Sequence, residues 1–241
     1  MNIERREIHV SGVAVEVLRK DIKNLHLGVY PPNGRVRVAA PLALSDEAVR
    51  LAVIGKLGWI KRQQDRFEAQ PRQSRREMAS GESHYYLGRR YRLRVLEGSA
   101  TRVVVRNNSY IELHVPPGTA APDREAILHR WYRRQLRVLV PPLLEKWQPV
   151  LDVRVADWRI KKMKTQWGAC TAEDKRIWIN LELAKKPVEC LEYILVHELA
   201  HLHERHHNDR FHALMERAMP QWRLHRDRLN SAPLAHEDWE Y

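Results

Sequence analysis

Apolar and polar residues alternate from Ile8 to Leu18, from Leu25 to Tyr30 and from Arg35 to Ala39, a period of two that predicts half-buried β-strands. Asn33-Gly34, between the last two runs, is a hairpin-type turn. From Ser45-Asp-Glu the period lengthens, and Val49, Leu51, Ala52, Ile54, Leu57 and Ile60 recur at helical spacing to about Phe67. The polar residues 70–77 read as a linker or exposed loop. Alternation then returns over Tyr85 to Leu96, Arg102 to Arg106 and Tyr110 to Val115, with a turn at Asn107-Asn108-Ser109. Pro116-Pro-Gly leads into a helix expected from about Asp123 to Trp147.

Strands followed by a helix thus occur twice. Gly34-Arg-Val-Arg-Val-Ala-Ala-Pro41 resembles Ser109-Tyr-Ile-Glu-Leu-His-Val-Pro116, and Trp59-Ile-Lys-Arg-Gln63 resembles Trp131-Tyr-Arg-Arg-Gln135, so two related units are expected at about 1–70 and 84–150. The last third differs. Two strands are expected, from Arg159 to Thr165 and from Arg176 to Leu183, around Trp167-Gly-Ala-Cys-Thr-Ala-Glu-Asp174. The second places Ile177, Ile179 and Leu181 on one face and Trp178 and Asn180 on the other. Pro187 opens a helix with Glu189 near its positive end, and Leu191, Ile194, Leu195, Leu199 and Leu202 form its apolar stripe. The expected fold class is α+β: β-rich units with helices over residues 1–150, then a compact domain over 151–241 built on this helix.

A chain of 241 residues, 44% hydrophobic and 30% charged, is long enough to bury a core, and its composition excludes collagen, low-complexity and wholly disordered classes. Lys and Arg total 42 against 30 Asp and Glu, a net charge of +12 that favours polyanionic partners without specifying a fold. Lys61, Arg62, Arg66, Arg72, Arg75, Arg76, Arg89, Arg90, Arg92 and Arg94 interleave with Trp59, Tyr85, Tyr86 and Tyr91, so a basic N-terminal surface is one candidate for binding nucleic acid. Asp65, Glu68, Glu77 and Glu82 among them make ordinary solvated faces the preferred reading. Cys170 and Cys190 are too few for a disulfide framework, the start at Met1 lacks an apolar signal segment, and no apolar run approaches the roughly 18 residues a membrane span needs. A cytoplasmic protein without a membrane partner is expected.

The 13 histidines change the picture. On the apolar-striped helix stands His197-Glu-Leu-Ala-His201. At about 100° per residue the two imidazoles stack one turn apart, with Glu198 flanking them at about 100°. Two neutral imidazoles on one face suit a zinc ion, and the carboxylate beside them suits proton transfer with a water on that ion. A continuing helix would carry His207 about 240° away from His201, so the chain must leave the helix between about His203 and Asn208. His206-His207-Asn208-Asp209 are mediocre helix formers, and Asn or Asp tolerates the left-handed conformation that ends helices. His207 is the preferred third ligand, with His206, His212 and Glu216 as competitors; His203 and His225 read as surface or supporting residues. Tyr193, Trp167, Trp178 and Asn180 are candidates for supporting the site or pairing with an extended substrate.

Met163-Lys-Thr-Gln-Trp-Gly-Ala-Cys170, Ile177-Trp-Ile-Asn-Leu181, Tyr193-Ile-Leu-Val-His-Glu-Leu-Ala-His-Leu202 and His207 to Phe211 together resemble the YgjP-like metallopeptidases, relatives of the SprT and WLM zinc proteases. The resemblance covers nearly the whole chain and is sharpest from about 160 to 225. It implies a minimal zincin-like HExxH domain at the C-terminal end, with one zinc ion on His197, His201 and His207, Glu198 as catalytic base, and a protein or peptide substrate. The sequence departs from the family pattern at His206, where Asn is usual, His212, where Trp is usual, and Ala169, where Ser is usual. Two other functions use the same residues: hydrolysis of a nucleotide phosphoanhydride, and a nucleic-acid module with a structural metal. No P-loop supports the first, and three histidines leave an open position that a structural zinc site would close.

Overall fold

The structure is a computed structural model that describes residues 4–30, 34–69, 77–163 and 166–231. The chain divides into two compact units, Met1–Arg75 with Pro233–Tyr241, and Arg76–Ala232. The fold is mixed α+β, as expected, and no helix among the described residues is long and apolar enough to cross a membrane.

The first unit holds β1 (Glu4–Val10), β2 (Val13–Lys20), β3 (His26–Tyr30) and β4 (Arg35–Pro41) in the order β1-β2-β4-β3, followed by α1 (Asp46–Ile54) and α2 (Leu57–Ala69). Strand β2 pairs with β4 in parallel, matching Val15 to Val36 and Val17 to Val38, and these valines form its core with Val49, Val53 and Ile60. Ser45 caps α1 by accepting from the Ala48 N–H, so the helix starts where its sequence signal lies.

The second unit begins with β5 (Ser83–Tyr86), β6 (Arg89–Glu97), β7 (Arg102–Arg106) and β8 (Tyr110–Val115), in the order β5-β6-β8-β7. Both sheets consist of an antiparallel hairpin, a parallel central pair and a second antiparallel pair. The two four-stranded sheets therefore share one topology. The expected single strands over 8–18 and 85–96 are each two strands, turned at Ser11-Gly12 and Leu87-Gly88 with all four residues at positive φ. Such two-residue turns match the twist of a hairpin.

Helix α3 (Ala121–Leu151) runs past its expected end and through Pro141 and Pro142. The two carbonyls that lose a partner belong to Arg137 and Val138, which are exposed and open to water. After α3 come β9 (Asp157–Lys161), β10 (Gly168–Thr171) and β11 (Arg176–Asn180), ordered β10-β11-β9. The strand expected to reach Leu183 stops at Asn180, whose side chain accepts from the Glu182 N–H and opens a 3₁₀ turn over Leu181–Lys185. β10 falls inside what was expected to be a loop. Helices α4 (Val188–Ala200), α5 (Asp209–Ala218) and α6 (Trp222–Ser231) complete the unit.

The contacts do not separate at the expected boundary near 150. Leu93 and Ile111 of the sheet, Tyr132 and Leu136 of α3, Ile177 and Ile179 of β11 and Leu195 and Leu199 of α4 belong to one buried cluster. The β5–β6 turn also hooks onto the start of α4: Leu87 and Gly88 donate their N–H groups to Ala184 and Lys185, and a Cβ at Gly88 would stand 2.7 Å from the Pro187 ring. The second strand-and-helix repeat and the helix bearing His197 are thus a single packed body.

Candidate active site

Helix α4 is buried along most of its length, with Leu195, Val196, Leu199 and Ala200 at or near zero exposure, so its orientation is fixed by the core. His197 lies in its last turn and His201 is its C-cap. The chain then turns away through short-range bonds, Leu202 N–H to Leu199, and His203 and Glu204 N–H to Ala200. No residue from 201 to 208 adopts positive φ, so the expected left-handed break is absent. Asn208 contributes differently. It is extended and caps α5, its side chain accepting from the Phe211 N–H, and this cap sets the residue before it against α4.

That residue is His207. Its Nε2 lies 3.1 Å from Nε2 of both His197 and His201, which are 3.2 Å from each other. The rings rest on the buried Phe211, with centroids 4.7 to 5.0 Å away. His201 Nδ1 donates to the Glu204 carbonyl at 3.0 Å, which leaves Nε2 as the lone-pair atom facing its neighbours. Burial, and then His201 and His207, hold His197 at a pKa of about 3, and His207 is lowered too. Three unprotonated nitrogens so close repel one another unless a cation lies among them. Four ligands at 2.0 to 2.1 Å in a tetrahedron have edges of about 3.3 Å, so the triangle is close to the size zinc requires and leaves a fourth corner open. Among the described residues these three form the one cluster of three or more His, Cys, Asp or Glu side chains placed to hold an ion.

The competitors lie elsewhere. His206 is exposed, His212 stacks on Trp222 at 5.8 Å, and Glu216 accepts from Trp222 Nε1 and Arg223. His203 bonds the Leu151 carbonyl at the end of α3.

Glu198 is 4% exposed, and burial pushes its carboxyl up to about 8. It packs on the backbone of Gly168 so closely that a Cβ there would lie 2.8 Å from its Cδ and Cγ. Gly168 belongs to β10, an edge strand, and successive residues 168–172 line a cleft of about 690 Å³ with His197, Glu198, His201 and His207. Arg205, Arg226 and Asn230 line it as well. Cys170 lies in the same cleft, its thiol pushed up to about 11 by burial and by Glu198 and Glu173.

Trp178 and Asn180 are not at that edge. Both are on β11, the central strand, which is paired on both sides. Asn180 instead uses its whole amide: Nδ2 donates to the Met163 and Gln166 carbonyls, and Oδ1 accepts from Met163 and Glu182 N–H. It thereby ties Met163 and Gln166 to β11, as does the Trp167 carbonyl, which accepts from the Asn180 N–H. Trp167 lines the cleft with Lys186 Nζ 5.4 Å from its ring. Tyr193 stands edge-on to His197 at 5.8 Å and stacks on Trp222.

A family model, the YgjP-like metallopeptidase domain, matches residues 23–232. The chain belongs to this YgjP-like family. The solved structure of the metallopeptidase zymogen abylysin from Pyrococcus abyssi is similar at 26% identity, over 37% of this chain and 90% of that one, with a TM-score of 0.35. No curated protein matches significantly. A YgjP-like domain is a metallopeptidase domain, so the chain is a hydrolase that uses a divalent metal and acts on proteins or peptides.

Of the side chains that build the site, Phe211 and the helix-capping role of Asn208 were not foreseen. Asn208-Asp-Arg-Phe211 carries a readable N-cap signal, a capping residue three positions before an apolar one. The contact between Gly168 and Glu198 has no local signal.

Proposed function

We propose that the protein is a zinc-dependent metallopeptidase of the minimal zincin type, with His197, His201 and His207 as ligands of one ion and Glu198 as general base. The observation that carries this reading is the triangle of Nε2 atoms, 3.1 to 3.2 Å on a side, at the wall of an open cleft. The ion supplies Lewis acidity, which brings water toward neutral acidity and polarises a carbonyl. Glu198 takes the proton of the attacking water and returns it to the leaving amine, the role its place beside His197 and His201 at the wall of the cleft suits. Its burial excludes bulk water from that transfer. The open edge of β10 offers its backbone N–H and C=O groups to an extended peptide, which would align the scissile bond along the cleft. Asn180 acts at one remove by holding the segment before β10, and Phe211 by supporting the imidazoles. Two thiols without a disulfide accord with a cytoplasmic setting.

Removing metal by chelation should abolish hydrolysis of a denatured protein substrate, and one equivalent of zinc should restore it. Hydrolysis that persists without metal overturns the reading. Preferential hydrolysis of nucleoside triphosphates by the zinc-loaded protein would move the same site to phosphoanhydride chemistry.

A further inference from the structure

The cleft described above lies at the β10 edge of the three-stranded sheet. A second cleft, of about 740 Å³, lies at the opposite edge, where three successive β9 residues, Trp158, Arg159 and Ile160, line it with Trp178 of β11 and Arg133 and Arg137 of α3. It shares no lining residue with the first.

Its charges are unbalanced. Arg159 is partly compensated, since Asp157 Oδ2 accepts from its Nε at 2.8 Å and from Arg176 Nε at 3.0 Å. Arg133 and Arg137 have no carboxylate within ion-pairing distance among the described residues, nor does Lys161, whose Nζ stands 5.9 Å from the Trp178 ring with Arg159 Cζ at 5.7 Å. Arg133 and Arg137 follow one another along α3 at about one turn, 6 Å apart on the axis. Uncompensated cations gathered in a concavity repel one another, and a bound polyanion relieves that repulsion.

We propose that this cleft binds single-stranded nucleic acid, with Arg133 and Arg137 on phosphates and the partly exposed indole of Trp178 as a stacking platform for a base, while Trp158, paired with Ile177, packs against the core and closes the cleft from the other face of the sheet. The aromatic component decides between polyanions. An acidic peptide would satisfy the arginines but has no use for the indole of Trp178 beside them, whereas every base has a face to stack. The location differs from the basic residues singled out in the sequence. Lys61 and Arg62 belong to the first unit and Arg89, Arg90, Arg92 and Arg94 to the second. Because the two clefts occupy opposite edges of one sheet, nucleic acid and peptide can be held together, and a protein carried by a nucleic acid would be brought to the His197 cleft.

The test is fluorescence anisotropy of a labelled oligothymidylate titrated with the full chain across a range of salt concentrations. Wild-type protein should bind with a steep salt dependence. The double variant Arg133→Gln/Arg137→Gln should bind about tenfold or more weakly, with a salt slope lower by about 1.4, from about 0.7 per lost phosphate contact. Trp178→Leu should weaken binding with an unchanged slope, and Lys61→Gln/Arg62→Gln should leave both quantities as they were. Thermal unfolding of each variant establishes that the fold is retained. Absence of oligonucleotide binding, an unaltered affinity and slope in the Arg133/Arg137 variant, or competition by polyglutamate as effective as by unlabelled oligothymidylate would overturn the proposal. None of these readouts depends on peptidase activity.

Discussion

The carboxylate of Glu198 rests against the backbone of Gly168, where no side chain can be placed without a collision: a Cβ would lie 2.8 Å from both Cδ and Cγ. One residue on an edge strand and one on a buried helix thus set the position of the group assigned to proton transfer. Gly168→Ala is expected to lower kcat by about a hundredfold, since misplacement of about 1 Å costs that much. Metal content, set by the three histidines, should stay at one equivalent. Peptide hydrolysis beside elemental analysis checks both.

Asn180 is 3% exposed and makes four side-chain hydrogen bonds. Asn180→Ala leaves the carbonyls of Met163 and Gln166 and the N–H groups of Met163 and Glu182 without that partner. A loss of about 2 to 4 kcal/mol in unfolding free energy is expected. Asn180→Asp keeps the acceptor but loses both donor bonds and should be intermediate in denaturant unfolding.

Phe211 touches all three imidazoles. Phe211→Ala removes this support from a fully buried position, with an expected cost of about 3 to 5 kcal/mol. It should also weaken metal binding, measured by competition with a chromogenic chelator. Phe211→Leu should restore most of the stability and less of the affinity, because a branched aliphatic group does not present a flat surface to the rings.

His129 on α3 is held down at about 4, by burial first and then by Lys162 and Lys185, against the opposing pull of Glu182; Arg133 adds to the lowering, and Glu125 Oε1 lies 3.6 Å from its Nε2. The folded-state value is below the unfolded one near 6.5. Its contribution is therefore complete above about pH 6.5 and is lost as pH falls through 4, because the unfolded chain binds the proton first. At about 1.36 kcal/mol per unit, the contribution is at most about 3 kcal/mol. His129→Gln should flatten the fall in unfolding free energy between pH 6.5 and 4.

The elements that were legible in the sequence are those whose signal is local. Ser45 announces α1, and the stripe from Leu191 to Leu202 announces α4 together with the face that carries His197 and His201. The strands over 8–18 and 85–96 were read as continuous because Ser11-Gly12 and Leu87-Gly88 interrupt the alternation for only two residues. β10 was missed because four residues, Gly168-Ala-Cys-Thr171, carry too little periodicity to be distinguished from a loop. Trp178 and Asn180 were given the substrate edge because sequence fixes which face a residue is on but not which strand ends a sheet. His207 was reached by asking where a helix must stop, yet the means of stopping it, a tightened turn followed by the Asn208 cap, was not the left-handed residue expected.

The proposed function rests on proton transfer by Glu198 beside an ion held by His197, His201 and His207. Its most direct test is the turnover of a peptide substrate by Glu198→Gln, measured with bound zinc in the same preparation. The amide keeps the size and packing of the carboxylate but cannot accept the proton of the attacking water. One equivalent of zinc and a kcat lower by about a thousandfold are expected. Turnover equal to wild type in a variant that holds its zinc would contradict it.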